Sequence, residues 1–209
     1  MKYKFGLVAV IWHGLLLAAA QPQPSHVSEQ ASFSVALLGV VAVGESLPAM
    51  LVSRAGLSNT PFSQLPEKLY FSTKGKTEVA VLDFCCGAEK YPVQRITVLP
   101  MDVVKQAVYD TMQPRFETNT GIHLGMPPEA LRERLGSPDI EYVSPDAQQK
   151  IRTFAADCPQ GERLQRLLVY KSSNPTHPML VQHDMPSYMQ AYAFVDSRLV
   201  CMTFGFEYP

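Results

Sequence analysis

Three side chains with ligand chemistry fall close together: His177, His183 and Asp184. Neutral imidazole and carboxylate both bind zinc. With a third group from elsewhere, they are the chain's candidate site for a metal-dependent enzyme or hydrolase. Their spacing matches no compact metal motif, and Pro175, Pro178 and Pro186 mark an exposed loop. Solvated side chains are therefore the expected state, and no cofactor is implied. The second cluster is sulfur: Cys85 and Cys86 are adjacent, and Cys158 and Cys201 complete the four cysteines. Neighbouring strand residues point to opposite faces, so one of Cys85 and Cys86 can face the core while the other meets Cys158 or Cys201. Structural disulfides are the expectation. Buried thiols and a redox or metal-binding pair are the alternatives, the last needing an exposed thiolate of low pKa. Four cysteines allow three connectivities, and the sequence does not choose among them.

The remaining polar candidates lack partners. Alternation points His123 away from Ile122 and Leu124, toward solvent or a partner. A catalytic role there needs a nucleophile and an orienting acid, and neither can be placed. Asp83, Glu89, Asp139 and Glu141 have no fixed separation and read as surface acids. There is no G-x-S-x-G, no phosphate-cradling glycine loop and no H-E-x-x-H. Aromatic residues and methionines crowd the C-terminus: Tyr188, Tyr192, Phe194, Phe204, Phe206 and Tyr208, with Met185, Met189 and Met202. Most of these are expected in a sheet core. A partly exposed face with Tyr188, Tyr192 and Met185 would suit protein recognition, where aromatics and Met are enriched.

The elements that position these residues begin after an export signal. Lys2 and Lys4 precede an apolar run, and Ala18, Ala19 and Ala20 supply a cleavage site before Gln21. The run is short for a membrane span, which takes about 20 apolar residues. A signal anchor is the competing reading. Without Lys2 and Lys4 the 18 basic residues fall to 16 against 19 acidic ones, a net charge of about −3. No basic tract remains, which argues against nucleic acid or anionic lipid as a partner. The chain then divides into a signal (1–20), a polar leader (21–32), a first α+β module (33–100), a linker helix and connection (101–120) and a second α+β module (121–209).

The first module reads as a helix capped by Ser46, with Pro48 in its first turn and Gly56 as a left-handed stop. Strands follow at 68–74, 77–84 and 93–99, with turns at Gly75 and at 87–90. Asp102 starts an expected linker helix whose Val103, Val104, Ala107, Val108 and Met112 form a stripe, and Pro114 stops it. Residues 121–138 open the second module: Ile122 and Leu124 run into Gly125, Pro127 and Pro128 start a helix, Leu131 and Leu135 line its buried face, and Gly136 with Pro138 ends it. Strands are expected at 140–143, 150–156, 164–171, 190–195 and 198–206. Residues 172–185 are expected to be loop, and Asp196-Ser197 to be a two-residue hairpin turn.

The two openings echo each other. Val41-Ala42-Val43-Gly44 aligns with Ile122-His123-Leu124-Gly125, and the helices after them stop at Gly56 and Gly136. The expectation is one α+β unit used twice, each a short helical element packed on an antiparallel β-sheet. The second opening resembles the small envelope modules of the beta-lactamase-inhibitor-protein-like and SmpA/OmlA-like group. Ile122, Gly125, Leu131, Leu135, Gly136 and Pro138 carry the likeness, which spans 121–206 and extends more weakly over 40–99. It departs at Pro127, where the group has a Ser or Thr cap worth ~1 kcal/mol, and in lacking a lipoprotein cysteine. The group's members bind other proteins or are uncharacterised, so the resemblance implies a fold more than a task; with the export signal, the expectation is a periplasmic or secreted protein that binds another envelope or extracellular protein. A structural envelope factor without a discrete site is the plainer version, and an exported enzyme built on the His177, His183 and Asp184 loop is the rival.

Overall fold

The computed structural model describes residues 36–37, 41–60, 64, 66–84, 92–106, 108–111, 113–159 and 163–207. The expected signal and leader, the Cys85-Cys86 pair, Glu89 and Tyr208 lie outside the described residues. The fold is α+β. Strands β1 (Ala36–Leu37) and β2 (Val41–Ala42) pair with each other. One mostly antiparallel sheet takes β3 (Lys68–Ser72), β4 (Glu78–Phe84), β5 (Val93–Pro100), β6 (Tyr109–Asp110), β7 (Ile140–Val143), β8 (Arg166–Ser172), β9 (Ser187–Val195) and β10 (Arg198–Glu207). Its order is β6-β3-β4-β5-β10-β9-β8-β7, and only β6 runs parallel to its neighbour. Among the described residues four short helices accompany it: α1 (Ala49–Arg54), α2 (Pro128–Leu135), α3 (Asp146–Phe154) and α4 (Pro178–His183).

Period-2 alternation gives the central strands two buried faces. On one face Leu69, Phe71, Ala80, Leu82, Ile96, Val98, Phe204 and Phe206 meet Leu51 of α1, Leu131 of α2 and Leu180 of α4. On the other, Val79, Val81, Leu99, Leu167, Val169 and Ala191 meet Ala147, Ile151 and Phe154 of α3. The β9–β10 hairpin closes at Asp196 and Ser197, with φ of 49° and 55°. Two left-handed residues are what a two-residue turn matching the strand twist requires.

Residues 121–138 behave as expected. Gly136 caps α2 at φ 81°, and Tyr170 of β8 donates its hydroxyl to the Gly136 carbonyl at 3.1 Å. The two openings are anchored by the same bonds. Gly44 N–H donates to Val93 O (2.7 Å), and Val93 N–H donates to Glu45 O (2.9 Å). Gly125 N–H donates to Leu199 O (2.8 Å), and Leu199 N–H donates to Met126 O (2.8 Å). Both glycines sit at φ 85°.

Four local expectations are corrected. The described residues of 103–112 form no α-helix. Asp102 lies in a 3-10 turn, Met101–Val103, and β6 follows. Val104 is extended, and Val104 and Val108 pack on the core beside Val79 and Val81, while Thr111 bonds Ser72 O through both N–H (3.0 Å) and Oγ1 (2.9 Å). Sheet-edge pairing outweighs the weak helix preference of this valine-rich run. Residues 150–156 are not a strand: Ala147, Ile151 and Phe154, spaced four and three apart, are the buried face of α3. Ser46 does not cap α1, whose N-cap is Pro48; Ser46 bridges to Pro92 instead. The expected loop 172–185 contains α4. Among the described residues no helix is long and apolar enough to cross a membrane.

Candidate functional site

The proline-punctuated segment that leaves β8 builds a ledge over one sheet face. Asn174 Oδ1 accepts from Thr176 N–H (3.1 Å) and Thr176 Oγ1 (2.8 Å), turning the chain. Pro178 takes the first helical position, where its missing donor costs nothing. His177 then caps α4 with its ring: Nδ1 accepts from Met179 N–H at 3.3 Å, and the side chain is buried. Leu180 anchors the helix in the core. At the far end Asp184 adopts φ 52° as the C-cap, with its carboxylate exposed.

His183 connects the ledge to the first half of the chain. Its ring lies 5.5 Å from that of Phe206 and directly over Gly44, where an added Cβ would come within 2.6 Å of Nε2. Glu45 Oε1 lies 3.9 Å from His183 Nε2 and accepts from Gln182 Nε2 at 3.4 Å. His177, His183 and Asp184 therefore serve as N-cap, ring contact and C-cap. They do not converge, and the described residues hold no group of three or more His, Cys, Asp or Glu able to hold a metal ion.

Tyr188 and Tyr192 are corrected from a recognition face to the core, at 1% and 0% exposure. They share a face of β9 with Gln190, whose Oε1 accepts from Tyr192 Oη at 2.7 Å. Tyr188 meets Phe206 edge-on, and Tyr192 meets Phe204 and Tyr170 edge-on. Burial pushes the Tyr188 and Tyr192 phenols well above 10 and the Tyr170 phenol up to about 12. None of the three is a ready proton donor to a substrate. Met185 is half-buried against the same core. The surface the ledge presents consists of Pro178, Val181, Gln182, Asp184 and Pro186, and Val181 is 63% exposed.

On the opposite face Cys158 and Cys201 form a disulfide, with Cα atoms 5.7 Å apart. It fastens the loop after α3 to the middle of β10. Asp157, next in the chain, accepts from Lys68 Nζ at 2.6 and 2.8 Å, and Asp83 lies 3.4 Å from the same ammonium. Burial, the largest influence on Lys68, lowers its pKa; the Asp157 hydrogen bond and the Asp83 and Asp157 charges outweigh it, so the pKa is raised. Burial raises the Asp83 carboxyl against the pull of Lys68. This cluster was invisible in the sequence, because its members lie 89 positions apart.

The other acids are structural. Glu141 pairs with Arg132 (2.8 Å) and Arg166 (3.2 Å), and Asp139 accepts from Lys171 N–H at 2.6 Å. His123 donates Nδ1–H to the Leu124 carbonyl at 2.8 Å and bridges to Glu117. Comparison with protein-family models, curated proteins and solved structures finds no match to this chain.

Proposed function

We propose that this is an exported protein-binding factor of two similar modules, each a short helical element on an antiparallel β-sheet, and that the α4 ledge is its contact. Three facts support the two modules. The glycine openings carry matching anchors. The meanders β3-β4-β5 and β8-β9-β10 meet last strand to last strand. At their seam Thr97 faces Thr203, with Val98 opposite Met202 and Ile96 opposite Phe204. Thr97 and Thr203 join their hydroxyls by a hydrogen bond, as two equivalent residues on a pseudo-twofold axis would.

One observation carries the binding reading. The first meander turns from β3 into β4 in five residues, 73–77. The corresponding turn of the second, 173–186, takes fourteen and builds α4. A hairpin needs no such excursion. Its own apolar residue, Val181, is left in water while Leu180 is buried. An exposed valine on a segment capped at both ends is placed to dock on another protein of the envelope or the extracellular space. The test is capture from envelope extract on immobilised protein, with Val181→Asp beside it. The reading expects a stoichiometric partner retained by the native chain and weakened at least about tenfold by the variant. The stability of the variant should stay within about 0.5 kcal/mol of native, because Val181 is exposed. Repeated blanks, or equal retention by both chains, would defeat it.

A further inference from the structure

α4 is held at each end by an imidazole, and the two rings respond to a proton in opposite senses. At the N-terminal end His177 Nδ1 accepts the Met179 N–H at 3.3 Å, and the residue is only 5% exposed. An accepting ring nitrogen carries no hydrogen, whereas a protonated imidazole carries one on both nitrogens and accepts at neither. A proton on His177 therefore removes the cap and returns the Met179 N–H to the unpaired donors of the first turn. It also leaves a buried cation at the positive end of the helix. At the other end a proton does the reverse. His183 Nε2 lies 3.9 Å from Glu45 Oε1, and a cation is favoured at a helix C-terminus. The remaining titratable groups around the helix belong to other classes. Glu45 and Asp184 are exposed carboxylic acids. Tyr170, Tyr188 and Tyr192, on the sheet face beneath, are phenols that burial raises. Lys171 and Glu207 pair with each other at 2.7 Å, and Lys171 lies over the ring of Phe154 on the opposite face. Carboxyls ordinarily change charge at about 4, phenols at about 10 and imidazoles at about 6.5.

We propose that α4 is a helix released by acid. A proton taken up by His177 unlatches its first turn, while His183 keeps its last turn seated at Gly44 and Glu45. The closed helix binds one proton fewer than the open segment, so its stability falls as pH falls through the imidazole range. Linkage sets the size of the effect. A cap that excludes the proton, set against an open segment whose imidazole titrates at about 6.5, shifts the opening equilibrium by about thirtyfold at about pH 5 and hardly at all at about pH 7.5. If α4 is the partner contact, a partner held at neutral pH is let go in acid. That consequence rests on the proposed function; the release of the helix does not.

Amide hydrogen exchange on the full chain, with no partner present, is the test. Met179 N–H bonds the His177 ring and Val181 N–H bonds the His177 carbonyl at 3.0 Å. Expressed as protection factors, which remove the intrinsic effect of pH, both should lose about tenfold or more between about pH 7.5 and about pH 5. Val98 and Tyr192, in the central strands, should keep theirs. His177→Asn keeps an accepting cap without a titrating ring, so its protection should fall less than about twofold over the same range. His183→Gln should keep the native response. A readout on the native chain alone stands beside these: the ¹⁵N spectrum of His177 should show Nδ1 without a hydrogen at neutral pH. A hydrogen on Nδ1 there, protection unmoved by acid, an equal fall in His177→Asn, or a fall abolished by His183→Gln would each overturn the proposal. Because no partner is present, failure here is distinct from failure of capture at α4.

Discussion

Alanine at Gly44 and alanine at Gly125 make an internally controlled pair. Both residues sit at φ 85°, where an L side chain costs about 1–2 kcal/mol. Their surroundings differ. A Cβ at Gly125 meets nothing within 4 Å, whereas one at Gly44 meets Nε2, Cε1 and Cδ2 of His183 at 2.6, 2.7 and 2.8 Å. The ring cannot simply withdraw, because Phe206 packs against it and α4 is pinned by Leu180. Crowding of this kind adds about 1–3 kcal/mol. Gly125→Ala should therefore cost about 1–2 kcal/mol by the conformational term alone, and Gly44→Ala about 2–5 kcal/mol by both. Removing the ring isolates the difference. In the cycle with His183→Ala, the double variant should be more stable than the summed single losses by about 1–3 kcal/mol, while Gly125→Ala and His183→Ala should add. Urea unfolding at constant m-value reads all five variants. If Gly44→Ala costs no more than Gly125→Ala, or if His183→Ala brings no relief, the contact between the ledge and the first opening is not what constrains Gly44.

Glu78 is partly buried and accepts Phe116 N–H at 2.7 Å. Burial raises its pKa above 4.5, partly offset by that bond and by His123 and Arg115. A raised folded value gives stability that is complete below about 4.5 and declines as pH rises through the raised value. Glu78→Gln should gain on the native chain in urea unfolding between about pH 4 and about pH 7, and a constant difference would refute the linkage. Non-reducing peptide mapping should recover Cys158 and Cys201 in one cross-linked peptide. Their separation of 43 residues puts the loss on Cys158→Ala with Cys201→Ala at about 4 kcal/mol by chain entropy, and a cost below ~1 kcal/mol would count against a constraining role. Mass spectrometry of exported protein should place the N-terminus near Gln21, and Met1 retained in a membrane fraction would sink the cleaved signal.

The sheet was readable because its signals are local. β-Branched alternation marks β4 and β5, Asp196-Ser197 marks the last hairpin, and glycine with proline frames α2. Misreadings arose where one residue type serves two periods. Ile151, Thr153 and Phe154 favour a strand by propensity, yet the spacing of Ala147, Ile151 and Phe154 is helical, and packing on Leu167 and Val169 selects the helix. The valines at 103, 104 and 108 fit a helix stripe, but Val103 is exposed in a 3-10 turn, and Val104, which is extended, and Val108 pack on the sheet core. The ledge was hidden for another reason. Its cap is an imidazole, outside the usual Ser, Thr, Asp and Asn set. Composition drew attention to Tyr188 and Tyr192 without saying which face of β9 they share, and that face is the core. Lys68 and Asp157 meet only through the order of the sheet and the disulfide beside Asp157, which no local window contains.

On the proposed two-module reading, the two openings explain how α4 is held in place. The core of the first opening needs only Gly44 in its left-handed turn and the bond pair to Val93, as the second needs Gly125 and Leu199. Nothing in that scheme requires a ring over Gly44, and Gly125, in the same conformation, has open space above it. The segment 173–186 has used the vacancy above the first glycine as a seat, setting His183 there and tying Gln182 to Glu45. A surface loop would have high conformational freedom to lose on docking. This one is fixed by an N-cap, a core leucine and the contacts of Gln182 and His183 with Glu45 and Gly44. Val181 is therefore presented in a set position, and the constraint at Gly44 tests the ledge that presents it. Loosening the seat with His183→Ala should weaken partner capture with Val181 still in place, whereas Gly125→Ala, which leaves the seat alone, should not.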